Sequence, residues 1–240
     1  GDLVDCESLV SLKDLMEKLG CNNLDCRQDS GAFGNPRSSY IFNSGIMGID
    51  EADVILLIGC NTRWEAPVLN ARIRKQHLNG AIVGVIGPEF DLTFPYEHLS
   101  PDLKEIKNMA EGASEFGDKL ATARYPMLVV GSGALAREDG EAILAGARDL
   151  AERFNIVNSE WNGFNVLQRA ASRVGGIDLG FVPKTNKDLG QGRSPSSIPA
   201  LGQVPISAIT SDTFIRRPGI VIGECQALRT QSRPMRMASN

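Results

Sequence analysis

The sequence predicts an α/β fold of Rossmann-like type: a mostly parallel sheet with helices on both faces, followed by an irregular tail. Three observations predict it. Residues 54–58, VILLI, form an unbroken apolar run, followed by a polar loop and a helical pattern that begins at Pro67. A second apolar run, residues 81–86, follows that helix after Asn79-Gly80. The alternation then returns from Met127 onward. A strand without polar alternation is expected to be covered on both faces, as strands of parallel sheets are. Two strand–helix–strand units with right-handed crossovers satisfy the pattern.

Taken in order, Leu9, Leu12, Leu15, Met16 and Leu19 recur at helical spacing and Gly20 supplies a stop, so residues 7–19 read as an amphipathic helix. Residues 30–39, SGAFGNPRSS, are rich in turn formers and are expected at the surface. Pro67 suits the first turn of a helix whose apolar side is drawn from Val68, Leu69, Ala71 and Ile73. Arg72, Arg74 and Lys75 then face solvent or a partner. The second run ends at Gly87-Pro88. Residues 127–130 read as a strand, Gly131-Ser132-Gly133 as a tight turn, and residues 138–154 as a helix with Ile143, Leu144, Ala147, Leu150 and Ala151 on one face. Residues 155–157 read as the next strand, and residues 163–174 as another helix with Phe164, Leu167 and Ala171 inward. From Asn186 the grammar stops: GQGRSPSSIPALGQVP is dense in Gly, Ser and Pro, and RTQSRPMRMASN is basic and polar. The expected division is therefore a folded region, residues 1–185, and a poorly ordered tail, residues 186–240.

Composition narrows the function. A chain of 240 residues with 42% hydrophobic content has material for a core. Its 25 basic and 29 acidic side chains give a net charge of −4, with no basic field for a phosphate backbone, so nucleic acid is not an expected partner. No apolar run approaches the roughly 20 residues of a membrane-spanning helix. The start, GDLVDCESLV, lacks the basic flank and apolar core of a signal peptide, and it lacks an initiator Met, as a fragment or a trimmed chain does. Five cysteines, Cys6, Cys21, Cys26, Cys60 and Cys225, are odd in number and irregularly spaced. That pattern argues for a reducing compartment and against a disulfide framework. Cys21 and Cys26 form the only close pair, without the second ligand pair of a zinc or iron–sulfur site, and the five are expected to be free thiols on or near the surface.

The turn Gly59-Cys60-Asn61-Thr62-Arg63 joins the carboxyl end of a strand to the start of a helix, where open α/β sheets bind ligands and unpaired helix amides favour anions. It lacks the G-x-G-x-x-G spacing of an NAD or FAD site. Asn61 and Thr62 suit hydrogen bonds to a base or ribose, and equally suit a helix cap. Gly131-Ser132-Gly133 is a second phosphate turn or a structural one, without a third glycine or a Walker lysine. His77 and His98 are the only histidines; neither lies near a serine or cysteine motif, and both read as surface residues. Glu65, Arg63 and Arg72 suit ion pairs around the loop, a solvated face or a subunit contact. No catalytic residue and no metal ligand is assigned.

The segments LGCNNLDCRQDS, YIFNSGIMGIDEADVILLIGCNTRWEAPVLNARIRK and EWNGFNVLQRAASRVGGIDLGF resemble the large iron–sulfur subunit of the proton-pumping NADH:quinone oxidoreductase, respiratory complex I. The resemblance covers residues 1–183 and stops before the tail. It implies a piece of that subunit's carboxy-terminal region, similar in fold to molybdopterin-dependent formate dehydrogenases and nitrate reductases. In those relatives the loop matching Gly59, Cys60, Asn61 and Thr62 takes part in binding the guanine-dinucleotide end of the molybdenum cofactor. They also carry Asp-Pro-Arg after the next strand, where this chain has Gly87-Pro88-Glu89, so the resemblance implies a vestigial site. The family's iron–sulfur clusters sit on cysteines upstream, and none of the five here matches those motifs.

What the resemblance implies is a structural module of the complex I peripheral arm, in respiratory electron transport, with no cofactor of its own. Its partners are other peripheral-arm subunits, with Arg72, Arg74 and Lys75 as contact residues. Its location is peripheral, on the cytoplasmic face of a bacterial inner membrane or the matrix face of the mitochondrial one, without direct insertion. Two alternatives stay open: a molybdopterin-guanine-dinucleotide-binding oxidoreductase fragment, with residues 131–133 as a second contact, and a nucleotide-binding module without redox chemistry.

Overall fold

The computed structural model describes residues 2–21, 23–27, 29, 31–182 and 221–222. In chain order its elements are α1 (Cys6–Lys18), β1 (Leu24–Asp25), a 3-10 turn (Arg37–Ser39), α2 (Gly45–Gly48), β2 (Val54–Ile58), α3 (Thr62–Glu65), α4 (Pro67–Leu78), β3 (Ile82–Ile86), β4 (Glu97–Ser100), α5 (Glu105–Glu111), α6 (Glu115–Thr122), β5 (Pro126–Gly131), α7 (Ser132–Leu135), α8 (Gly140–Arg153), β6 (Phe164–Leu167), α9 (Arg173–Asp178) and β7 (Val221–Ile222). The expected tail, residues 186–240, lies outside the described residues apart from β7. The chain divides into two compact units, residues 31–169 and residues 1–30 with 170–240.

The larger unit is built on a five-stranded sheet in the order β4-β3-β2-β5-β6, with every neighbouring pair parallel. β2 is central, and all five of its residues are buried. Its side chains alternate between two cores, which is why it carries no polar alternation. Val54, Leu56 and Ile58 join Phe116, Leu120, Leu144, Ala147 and Leu150 on one face, the face of α6 and α8. Ile55 and Leu57 join Leu69 and Ile73 of α4, together with Leu92, Phe94 and Trp161, on the other. The α/β class, the parallel sheet and the helices on both faces are thus as the sequence predicts. Asp53, just before β2, fixes the start of the sheet: its two carboxylate oxygens accept from the backbone amides of Arg124 and Tyr125 at 2.7 and 2.9 Å, next to β5.

Several elements differ from expectation. Residues 155–157 are not a strand; Asn155 turns the chain with a positive φ of 50°, and only Val157 makes a single bridge, to Asn162. The strand is β6, inside the span expected as a helix. Phe164 to Leu167 are all buried, and Asn165 is held there because its carboxamide is satisfied: Nδ2 donates to the Gly163 carbonyl at 3.0 Å, and Oδ1 accepts from the Ser44 amide at 2.9 Å. β4, α5 and α6 are not expected from the sequence. Gly131 ends β5 and Ser132 opens the single turn α7, so residues 131–133 are a strand-to-helix junction. On α4 the buried residues are Leu69, Asn70 and Ile73, whereas Val68 and Ala71 are exposed. Of residues 30–39, Asn35 to Arg37 are exposed but Gly31 and Ser39 are buried.

In the smaller unit, α1 starts at an Asp5 cap that accepts the Ser8 amide at 2.7 Å, and it is followed by Gly20 at φ +70°. Leu9, Leu12 and Met16 of α1 pack with Cys21, Leu24 and Phe181, while Leu15 and Leu19 stay exposed. Among the described residues no helix is long and apolar enough to cross a membrane.

Candidate ligand turn at the carboxyl ends of the strands

The turn after β2 lies where the sheet order reverses direction, between β2 and β5, which is the switch point at which open parallel sheets leave a crevice for ligands. The reason it turns there is Gly59, whose φ of +55° a side chain would strain. Its amide donates to the Ile86 carbonyl at 2.8 Å, tying the turn to the end of β3. A Cβ on Gly59 would lie 2.6 Å from Ala134 Cβ. Across the crevice, a Cβ on Gly131 would lie 2.4 Å from the Gly59 carbonyl oxygen and 2.6 Å from Cys60 Cβ. On the third side, a Cβ on Gly87 would come within 3.4 Å of Gly59 Cα. Gly59 and Gly87, each just after its strand, and Gly131 at the end of β5 therefore let the ends of β2, β3 and β5 close on one another.

Each remaining residue of the turn has an internal partner. Cys60 is buried, with its thiol 3.8 Å from the Val129 carbonyl; burial, and then the nearby Glu65 carboxylate, push that thiol well above its usual range. Asn61 caps α3: its side-chain oxygen accepts the Trp64 amide at 3.4 Å, while its own amide donates to Glu65 Oε1 at 2.8 Å. Thr62 is fully buried and its hydroxyl donates to Asn70 Oδ1 at 2.7 Å. Asn70 Nδ2 in turn donates to the Leu92 carbonyl at 3.0 Å, beyond β3. Arg63 points outward and pairs with Asp91.

The structure separates the ion pairs that the sequence suggested. Arg72 pairs with Asp50 at 2.5 Å and is half-buried, in contrast to the exposed Arg74 and Lys75; Glu65 serves the Asn61 amide. His77 is half-buried, its ring 5.6 Å from Phe94, and His98 lies exposed on β4 with Nε2 2.8 Å from the Gly87 carbonyl. Glu89, which follows Gly87-Pro88, is exposed. Of the described cysteines, Cys6 is exposed and Cys26 half-buried, in keeping with thiols on or near the surface, whereas Cys21 and Cys60 are buried. A small thiol packs as an apolar group, which is why two of them enter cores. Cys225 lies outside the described residues.

Sequence reasoning missed two participants, Ala134 and Asn70, which are apolar or amide positions on helices that nothing near the turn in sequence signals; Ser132 it did single out, within residues 131–133. Ser132 is buried at the carboxyl end of β5, and its hydroxyl has no hydrogen-bond partner; Glu65 Oε2 is likewise unpartnered. Among the described residues no group of three or more His, Cys, Asp or Glu is placed to hold a metal ion.

Comparison with known proteins places this geometry in a family. The family model for molybdopterin oxidoreductase matches residues 1–196. The chain is 48% identical over 190 residues to the mitochondrial NADH-ubiquinone oxidoreductase 78 kDa subunit of Neurospora crassa, covering 76% of this chain and 25% of that protein. It is 47% identical over 186 residues to the protein of the same name from Candida albicans, covering 75% of this chain and 26% of that one. It is 42% identical over 183 residues to a subunit of the NADH-quinone oxidoreductase of Rickettsia felis, covering 75% and 27%. The chain thus spans about a quarter of the length of these relatives, and the resemblance to the large iron–sulfur subunit of complex I holds. With a parallel sheet of this order and a family match across residues 1–196, the chain belongs to the molybdopterin oxidoreductase family.

Proposed function

We propose that this chain forms part of the large iron–sulfur subunit of NADH:quinone oxidoreductase and serves there as a structural module of the peripheral arm, without clusters or a molybdenum cofactor of its own. The observation that carries this reading is the filled crevice at the switch point. A guanine dinucleotide needs open space beyond the strand ends and polar groups directed into it. Here the strand ends pack so closely that a Cβ on Gly59 would meet Ala134 and one on Gly131 would meet the Gly59 carbonyl and Cys60, while Thr62 and the Asn61 amide are committed to Asn70 and Glu65. The residues at the turn do not fit the group. The contribution to electron transport is then indirect: a rigid α/β body that supports neighbouring, cluster-bearing structure. The location that follows is peripheral, on the matrix face of a mitochondrial inner membrane or the cytoplasmic face of a bacterial one.

A tagged protein containing this sequence should co-migrate with NADH dehydrogenase activity on native gels and co-purify with the other peripheral-arm subunits. Migration as an independent species, with the complex complete without it, would overturn the reading.

One observation favours the alternative in which residues 59–62 and 131–133 hold a nucleotide. The buried, unpartnered Ser132 hydroxyl stands at the end of β5, beside the turn. Guanine nucleotide recovered with the protein would support that alternative, with molybdenum if the chain is an oxidoreductase piece and without it if it is a binding module alone.

A further inference from the structure

We infer that the outward face of α4, headed by Trp64, docks an acidic, amphipathic segment of another polypeptide; this rests on the reading of the chain as a module of a larger assembly. Leu69, Asn70 and Ile73 define the side of α4 that meets the core. At about 3.6 residues per turn, Val68, Ala71, Lys75 and Leu78 fall in one line on the opposite side. A helix lying on a core is expected to be polar along that line. Here Val68 is 73% exposed and Leu78 70% exposed, and Trp64, four residues before Val68, is 78% exposed. One exposed apolar side chain is ordinary; two aliphatics along one line of α4, with an exposed aromatic on α3 just before it, are the pattern of an anchor set for a partner helix.

Charge identifies the partner. α4 carries Arg72, Arg74 and Lys75 and no acidic residue. Arg72 is engaged by Asp50 and Arg63 by Asp91, whereas Arg74 and Lys75 make no ion pair among the described residues. Arg63 and Arg74 also line an open groove of about 380 Å³ beside the stripe, which sets two guanidinium groups next to the apolar line. A second copy of this chain is a poor occupant, because a two-fold contact would set Arg74 and Lys75 against themselves. Residues 186–240 are a poor occupant for the same reason, with seven Lys and Arg against three Asp and Glu. Nucleic acid would answer the charge but leave Val68 and Leu78 without an apolar partner. An amphipathic segment with leucine-like residues at helical spacing, flanked by Asp or Glu, answers both.

The full chain can be titrated with two designed helical peptides, one alternating Leu with Glu at amphipathic spacing and one in which Lys replaces Glu. Trp161 is buried and its Nε1 donates to the Pro126 carbonyl at 2.7 Å, so a blue shift of emission on binding reports Trp64. The acidic peptide alone should shift the emission, and R74E/K75E should weaken it by about tenfold or more. No shift with either peptide, or equal shifts with both, would overturn the inference. In the assembled complex, a carbodiimide should link Lys75 to an Asp or Glu of another subunit, and Trp64 should be protected from hydroxyl-radical oxidation. Trp64 oxidised as fast in the complex as in the isolated chain would overturn the docking face and leave the assembly reading intact. Absence of the chain from the complex would overturn the assembly reading, while the peptide titration still decides the face.

Discussion

The hydroxyl of Thr62 donates to Asn70 Oδ1 at 2.7 Å, and both side chains are buried. This bond ties the turn after β2 to α4. Because Asn70 also donates to the Leu92 carbonyl, it links the ends of β2 and β3 through α4. Thr62→Val keeps the shape and removes the donor, leaving Asn70 Oδ1 buried without its bond. The expected loss is about 1–2 kcal/mol of unfolding free energy in a urea titration, and Asn70→Ala should cost more because it strands two partners. If Thr62→Val is neutral, the hydroxyl does not hold this joint.

The close approach of Gly131 to Gly59 makes a paired prediction. Gly131→Ala sets a methyl 2.4 Å from a backbone carbonyl oxygen that has no room to withdraw. It should destabilise by about 1–3 kcal/mol, by overpacking. Gly133→Ala places its methyl 4.0 Å from that same oxygen, on an exposed position of α7, and should stay within about 0.5 kcal/mol of the parent. Equal effects in thermal unfolding would mean that the two strand ends do not pack as described.

Asn165 is a buried amide in the middle of β6, bonded to Gly163 and Ser44. Asn165→Ala should lower stability by about 1–3 kcal/mol by freeing those groups without replacing them. Hydrogen exchange adds a local readout: the Ser44 amide should exchange faster in the variant than in the parent. Unchanged protection at Ser44 would contradict the contact.

Thiol reactivity follows burial. Among the described cysteines, Cys6 should alkylate first at pH 8, Cys26 slowly, and Cys21 and Cys60 only after unfolding. Burial pushes the Cys26 thiol up to about 11, so its alkylation rate should keep rising with pH well beyond the usual thiol range of about 8.5. The same shift has a stability consequence. The folded state holds the Cys26 proton more tightly than the unfolded state, so its contribution is present below the unfolded value and is lost as pH rises toward 11. Peptide mapping after timed labelling checks the order; early modification of Cys60 would contradict the filled turn.

Much of the sheet was legible because burial on both faces writes itself as an unbroken apolar run, as in Val54 to Ile58. β6 was not, because Asn165 interrupts its run and Phe164, Leu167 and Ala171 happen to fall at helical spacing. The edge strand β4, Glu-His-Leu-Ser, was hidden for a different reason. Only one side of it is paired, and its charged Glu97 is answered by Lys119 at 2.6 Å, a residue 22 positions away. The turn after β2 was legible as a position, from the strand, glycine and helix in sequence. Its contents were not, since Gly131 and Ala134 reach it from some seventy residues downstream. The outward stripe on α4 escaped because Val68 and Ala71 look like core residues until Asn70 is seen to be the buried one.

The filled turn itself is tested most directly by elemental and nucleotide analysis of the purified full chain for molybdenum, tungsten, iron and released guanine nucleotide. The predicted result is none of the four above background. Stoichiometric metal together with guanine nucleotide would contradict it, and would make Gly59 to Thr62 a working cofactor site.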